Sequence, residues 1–159
     1  MNTHEQQEFV STDQYVIFKL DDESYGVSIH FVEIIEKTTE ITRVPKSESF
    51  LLGVINLRGE IVPVIDLRKR FGLEVIPTND ESRIIILRVE EMIVGIMTDS
   101  SSEVLTISQD SIENAGIVMG NVDDTMIKGI GKVGNRMIMM IDVYTILGLR
   151  NREEQERGI

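Results

Sequence analysis

The residues able to do chemistry are few and scattered. The two histidines are His4, near the amino end, and His30, and neither has a companion at metal-ligand spacing. His30 reads as an ordinary surface or partly packed side chain. The absence of Cys removes disulfides, thiolate zinc sites and Cys nucleophiles together. Carboxylates are plentiful at Asp21, Asp22, Glu23, Glu90, Glu91, Asp123 and Asp124, but these positions read as solvated turns, and no converging acid–base pair can be assigned. Gly129–Gly134, GIGKVG, matches the G-x-G-x-x-G pattern of dinucleotide sites. That chemistry needs a helix directly after the glycines, whereas Asn135–Asp142 is an apolar strand run, so a hairpin turn at Gly134 and Asn135 is the simpler reading. Met137, Met139 and Met140 read as core filling rather than as an adaptable binding surface. No catalytic residue, cofactor or metal follows from these groups.

What remains is GVINLRGEIVPVIDL, Gly53–Leu67, where Asn56–Gly59 interrupts two apolar runs as a turn does. One reading is a plain hairpin with Arg58 pointing into water. The other makes Arg58 a guanidinium at the rim of apolar strands, the combination enriched at protein interfaces. The residues alone leave the two readings level.

The elements that carry these groups are short. β-Branched runs broken by Gly, Asp, Asn and Pro predict strands at Tyr15–Leu20, Ser24–Ile29, Gly53–Leu57, Glu60–Ile65, Arg83–Val89, Met92–Met97 and Arg136–Ile141. A helical turn is expected at Phe31–Lys37, where Val32 and Ile35 share a face. Pro63 places its strand at an edge or a bulge. An internal repeat organises them: Leu51–Leu73 aligns without gaps on Ile127–Leu149, with Gly53, Ile65, Asp66, Gly72 and Leu73 recurring as Gly129, Ile141, Asp142, Gly148 and Leu149. A weaker echo sets Phe18–Val27 over Leu87–Ile96. Asp66 and Asp142 are each placed to cap a short helix that Gly72 or Gly148 ends. The expected fold is mainly β: two similar small barrels, roughly residues 14–80 and 81–149, with short helices. Residues 1–13 and 150–159, polar and charged, read as solvated tails.

Composition narrows the function. The 159 residues suit one domain or two small joined ones, and 42% hydrophobic with 27% charged residues reads as globular. The 16 Lys plus Arg against 27 Asp plus Glu give a formal net charge of −11, a field that repels phosphate backbones and anionic headgroups. Nucleic acid and direct membrane insertion are therefore disfavoured. The apolar runs are too short to span a bilayer and the amino end lacks a signal-peptide pattern, so a cytoplasmic location is expected.

At GVINLRGEIVPVIDLR the chain resembles the CheW-like family of chemotaxis coupling proteins. The likeness spans about Gln14–Leu149 and includes QYVIFKLDDESYGVSI with VEII following, VPKSESFLLGVINLRGEIVPVIDLRKRFG, VGIMTDSSSEVL and IKGIGKVGNRMIMMIDVYTIL. The resemblance implies two five-stranded SH3-like β-barrels and no catalysis. It implies an adaptor joining the cytoplasmic tips of methyl-accepting chemotaxis receptors to the regulatory domain of the histidine kinase CheA. That kinase domain shares the fold, so barrels pair in quasi-symmetric rings within receptor arrays at the inner face of the membrane. The receptor tip, a helical hairpin, would enter an apolar groove between barrels. Carried over by position, the likeness marks Arg58, Gly53, Asn56, Leu57, Gly59, Val32 and Glu33 for partner contact, with Val104 and Leu105 lining the second half of the groove. Some relatives have a Glu where this chain has Ile34, so an internal ion pair of Arg58 would need Glu33 or Glu36 instead. Ser100–Ser102 replaces a stretch that commonly contains a Gly and an apolar residue. Gly134 stands where the repeat matches Arg58, which assigns recognition to the first copy. Two rival readings are a coupling domain of a larger chemotaxis protein, against which Met1 and the charged end at Ile159 fit a free-standing chain, and a nucleotide-binding enzyme using Gly129–Gly134.

Overall fold

A computed structural model describes residues 11–114, 116 and 126–149. In chain order these residues form β1 (Thr12–Leu20), β2 (Glu23–Ser28), β3 (Val32–Lys37), β4 (Leu51–Leu57), β5 (Glu60–Asp66) and helix α1 (Leu67–Arg70). There follow β6 (Arg83–Val89), β7 (Met92–Thr98), β8 (Ser100–Ser108), β9 (Ile112–Asn114), β10 (Ile127–Val133), β11 (Arg136–Ile141) and helix α2 (Val143–Ile146). One sheet has the order β8-β1-β2-β11-β10-β9 and the other β3-β6-β7-β5-β4. The fold is mainly β, as expected. Neither sheet is closed by pairing of its end strands among the described residues.

The expected division into residues 14–80 and 81–149 is corrected by the strand pairing. One compact unit gathers the described residues up to Ile17, Ser24–Ile29 and those from Glu103 onward; the other holds Phe18–Glu23 and His30–Ser102. In the second unit β5 runs parallel to β7, with Val64 opposite Gly95 and Ile65 opposite Ile96. In the first, β11 runs parallel to β2, with Met139 opposite Tyr25. Each repeat thus lends its opening hairpin to the closing hairpin of the other. A sequence repeat shows which segments are alike; it does not show which copy of a like segment each one pairs with.

Each unit has its own core. In the second, Ile55, Val62, Val64, Ile84, Ile86 and Met97 are buried together, with Ile34, Leu52 and Leu57 packed against them. In the first, Tyr15, Ile17, Ile107, Ile138 and Met140 form the cluster, flanked by Leu105, Ile112 and Val133. Burying each such aliphatic side chain contributes about 1.5–3 kcal/mol relative to leaving it in water. Strand β6 is apolar without alternation because both of its faces are covered: Ile84, Ile85, Ile86 and Leu87, which point alternately to the two faces, are all fully buried.

Three local expectations change. Phe31–Lys37 is not a helical turn: Ile29–Phe31 is a 3-10 turn and Val32–Lys37 is strand β3. The three-residue spacing of Val32 and Ile35 fits a helix, but half-buried Val32, Ile34 and Glu36 alternate with exposed Glu33, Ile35 and Lys37, which is the period of a strand. Thr12 and Asp13 belong to β1 rather than to a tail; residues 1–10 and 150–159 lie outside the described residues. Ser100–Ser108, polar at its start, is a strand that β-propensity did not reveal.

The capping expectation holds in both repeats. The Asp66 carboxylate accepts from the backbone N–H groups of Arg68 and Lys69, and Asp142 from those of Tyr144 and Thr145. Gly72 and Gly148 end the helices at φ 76° and 74°. Pro63 sits opposite Val54, on the part of β5 that precedes its pairing with β7, so its missing N–H leaves no ladder bond unmade there.

Candidate partner-docking surface

The β4–β5 hairpin closes with Leu57 opposite Glu60, so Arg58 and Gly59 form a two-residue turn. Both have positive φ, 54° and 86°, the backbone that matches the twist of a tight hairpin. The Asn56 side-chain oxygen accepts the Gly59 N–H at 2.8 Å. Asn56 and Gly59 therefore serve turn geometry, and the turn holds the Arg58 side chain out in solvent. Positive φ alone does not single out Arg58, since Asp21 at 56° and Glu90 at 58° open the β1–β2 and β6–β7 turns in the same way.

Around this tip, Glu33, Ile34, Leu57, Arg58, Gly59 and Glu60 line one open depression. Among the expected site residues it brings Glu33, Leu57, Arg58 and Gly59 together. Asn56, Val32, Gly53, Val104 and Leu105 are not in its lining. Val32 is half-buried opposite Leu87. Val104 and Leu105 belong to the other unit; Val104 is 47% exposed, whereas Leu105 packs against the core around Ile138.

The carboxylates expected to partner Arg58 do not. Glu33 bonds Arg88 at 2.5 Å, and that hydrogen bond, with the Glu33 charge, raises the Arg88 guanidinium above its ordinary range. Arg58 makes no ion pair among the described residues. Its charge is available to a carboxylate from outside.

Gly53 is scaffolding for this surface. It is buried at φ 151°, and a Cβ there would lie 2.2 Å from the Thr42 carbonyl oxygen. The close approach is what lets Thr42 and Val54 exchange two backbone hydrogen bonds of 2.9 and 2.8 Å. Gly129 repeats the arrangement: its Cβ would meet Ile112 Cγ2 at 2.9 Å and the Glu113 carbonyl at 3.0 Å, where β9 pairs with β10.

Sequence reasoning missed two features. Ile61, one residue past the turn pair, is 64% exposed, and Met137, its counterpart in the repeat, is 67% exposed. Met137 is thus not core filling, although Met140 is buried. Both strands are apolar on consecutive residues, so no alternation marked the outward ones. The second feature is Arg68. Its buried guanidinium donates to Asp21 at 2.7 Å, to Asp99 at 2.8 Å and to the Glu74 carbonyl at 2.7 Å, and Asp99 also accepts the Asp21 N–H at 2.7 Å. Burial lowers the Arg68 pKa, but the Asp21 hydrogen bond and the charges of Asp99, Asp21 and Asp66 together outweigh it and raise the value. Only the non-local pairing of α1 with two distant turns makes this network, so no local motif announces it.

The glycine motif is spent on packing. Gly129–Val133 lie in β10, Gly134 turns at φ 61°, and β11 follows, so no helix amino terminus faces the glycines. His30 is exposed in the 3-10 turn. Among the described residues no group of three or more His, Cys, Asp or Glu is arranged to hold a metal.

A mainly β chain whose distinctive exposed chemistry is a hairpin tip with a cation beside apolar side chains has the features of a protein-docking domain. Comparison with known proteins assigns it: the family model described as the CheW-like domain matches residues 14–150, and the chain belongs to that family. It is 37% identical over 140 residues to the chemotaxis protein CheW of Bacillus subtilis, covering 88% of this chain and 90% of that protein. It is 33% identical to the chemotaxis protein CheW of Klebsiella aerogenes, covering 84% and 81%. Among solved structures, the scaffolding protein TtCheW from Thermoanaerobacter tengcongensis superposes with a TM-score of 0.79 at 36% identity, covering 90% of this chain and 97% of that one.

Proposed function

We propose that this protein is a non-catalytic chemotaxis adaptor that couples methyl-accepting receptor tips to the regulatory domain of the histidine kinase CheA. Membership of the CheW-like family carries the reading, because a family match over residues 14–150 covers both repeats at once. The β4–β5 hairpin supports it physically. Arg58 has no partner of its own among the described residues, so it is free to grip a carboxylate of another protein through two parallel hydrogen bonds. Exposed Ile61 and half-buried Leu57 supply apolar contact beside it. Arg58, Leu57, Gly59 and Glu33 form the docking centre, and Asn56 and Gly53 hold its backbone. Val32, Val104 and Leu105 are secondary contacts.

Activity on this reading is a coupling free energy between two binding events rather than a covalent step. The proposed location is the inner face of the membrane, in receptor arrays. No helix of the described residues is long and apolar enough to cross a membrane. A domain of a larger chemotaxis protein would dock through the same surface, and the sequence of the surrounding genomic region decides between them. The adaptor reading is tested by mixing the chain with a CheA regulatory fragment and, separately, with receptor tips. Micromolar association with each is expected, and no association with either would overturn it.

A further inference from the structure

The unit that carries the docking hairpin also holds a cavity of about 210 Å³, which shares no lining residue with the depression at the hairpin tip. Its walls are apolar. Leu52 and buried Met97 come from the sheet, and Val75 and Ile76 from the segment after α1. Val75 stays 51% exposed and Ile76 40%, so the chain itself does not cover this wall.

The polar lining is anionic. Asp66 and Asp99 line the cavity together with Arg68, and Asp21 completes the set around that guanidinium. Three carboxylates about one guanidinium leave negative charge to be matched. Asp66 is only 7% exposed, yet it uses a single oxygen: Oδ1 accepts both cap N–H groups, at 3.0 and 3.4 Å, and Oδ2 has no partner among the described residues. Every fully buried side-chain oxygen of the described residues has a partner, so Oδ2 opens into space, and the cavity is the space that Asp66 lines. A carboxylate oxygen there gives up most of its water and gains from a donor. Asp99 likewise spends Oδ2 on Arg68 and on the Asp21 N–H and keeps Oδ1 free.

Two free acceptor oxygens beside apolar walls fit a cation rich in N–H donors and carrying an apolar body. Among the described residues no group of three or more His, Cys, Asp or Glu is arranged to hold a metal, which favours an organic cation. A cavity of about 150 Å³ is enough to hold benzene, so this one has room for a ring and an aminomethyl group. We propose that it is a binding site for a small primary ammonium compound, with the head on Asp66 Oδ2 and Asp99 Oδ1 and the apolar body against Leu52, Met97, Val75 and Ile76. The second copy of the repeat does not build the same lining, because Lys128 stands at the position of Leu52 and Tyr144 at that of Arg68. The proposal does not rest on the adaptor reading.

The test titrates benzylammonium into the isotope-labelled full chain and follows its amide signals, with benzyl alcohol and benzoate as neutral and anionic counterparts. Saturable binding of the amine with a Kd of about 1 mM or tighter is expected, moving the amides of Arg68, Ile76 and Met97. The alcohol should bind at least about tenfold more weakly, because it lacks the charge that strengthens the hydrogen bonds. Asp66→Asn keeps a side-chain oxygen for the helix cap and should weaken the amine at least about tenfold. Val75→Lys changes an exposed position, leaves the core intact and sets a competing ammonium at the wall, so it should abolish binding. No saturation by about 10 mM, equal affinity for amine and alcohol, or undiminished affinity in Val75→Lys would overturn the proposal. Failure of benzylammonium to bind, with loss of kinase-fragment binding in Val75→Lys, would overturn it in favour of a lysine side chain of a partner protein.

Discussion

Replacing Arg58 by glycine separates what the side chain does for the fold from what it does for docking. At φ 54° a residue with a side chain carries a cost of about 1–2 kcal/mol that glycine does not. Glycine in turn gains freedom in the unfolded chain, which costs about 0.5–1 kcal/mol. Arg58 makes no ion pair among the described residues, and the bond from the Gly59 N–H to Asn56 does not involve its side chain. The folded state should therefore be unchanged or stabilised by up to about 1 kcal/mol. Gly134, at φ 61° in the matching turn, shows that the backbone accepts glycine there. Docking should move the other way. A hydrogen bond to a charged group contributes about 1.5–3 kcal/mol, so affinity for the kinase fragment should fall roughly 10- to 150-fold. Urea unfolding measures the first change and titration calorimetry the second. A stability loss above about 1 kcal/mol, or undiminished affinity, would refute the reasoning.

The remaining predictions concern the scaffold. Gly53→Ala places a methyl group 2.2 Å from the Thr42 carbonyl, so the bridge to Val54 must break; about 3 kcal/mol or more should be lost, and Tm should fall by roughly 10 °C. Arg68→Ala leaves Asp99, 21% exposed, without its cation and should cost about 2–3 kcal/mol in denaturant unfolding. The Arg68 pKa is raised in the folded state, so its contribution is complete below the unfolded guanidinium value and is lost only as pH rises through the folded one. The stability difference between wild type and Arg68→Ala attributable to the cation should accordingly stay level between about pH 7 and pH 10, and an alkaline decline in that window would contradict the assignment. Asp142→Ala removes the acceptor for the Tyr144 and Thr145 N–H groups and should cost about 1 kcal/mol, read from the same unfolding curves.

How much of this was legible in the sequence depended on the range of the interaction. Asp66 with Gly72 and Asp142 with Gly148 announced their helices, because cap and stop act within one turn. The turns at Asn56–Gly59 and at Gly134 and Asn135 were equally plain, since Asn and Gly interrupt two apolar runs at each. The repeat exposed Gly53 and Gly129 as paired positions, and the structure supplies the reason in the backbone that presses against each, Thr42 against Gly53 and Glu113 of β9 against Gly129. Partner choice between hairpins was not legible: β2 joins β11 and β5 joins β7, although nothing local to those strands names the copy they select. Arg68 was hidden for the same reason, since Asp21 and Asp99 reach it only through folding. Ile61 and Met137 were hidden by uniformly apolar strands, in which the outward residue resembles the inward one. Likeness to the family marked Arg58 where local chemistry left two readings level, but it also suggested an internal partner at Glu33, which Arg88 already holds.

The central claim is that this chain holds a receptor and a kinase at once. Sedimentation of the protein with receptor tips and a CheA regulatory fragment, each alone and then together, tests it most directly. A three-component species that contains both partners and is depleted by Arg58→Gly is expected. A chain that sediments alone in all mixtures, or one whose two partners displace each other completely, would contradict it.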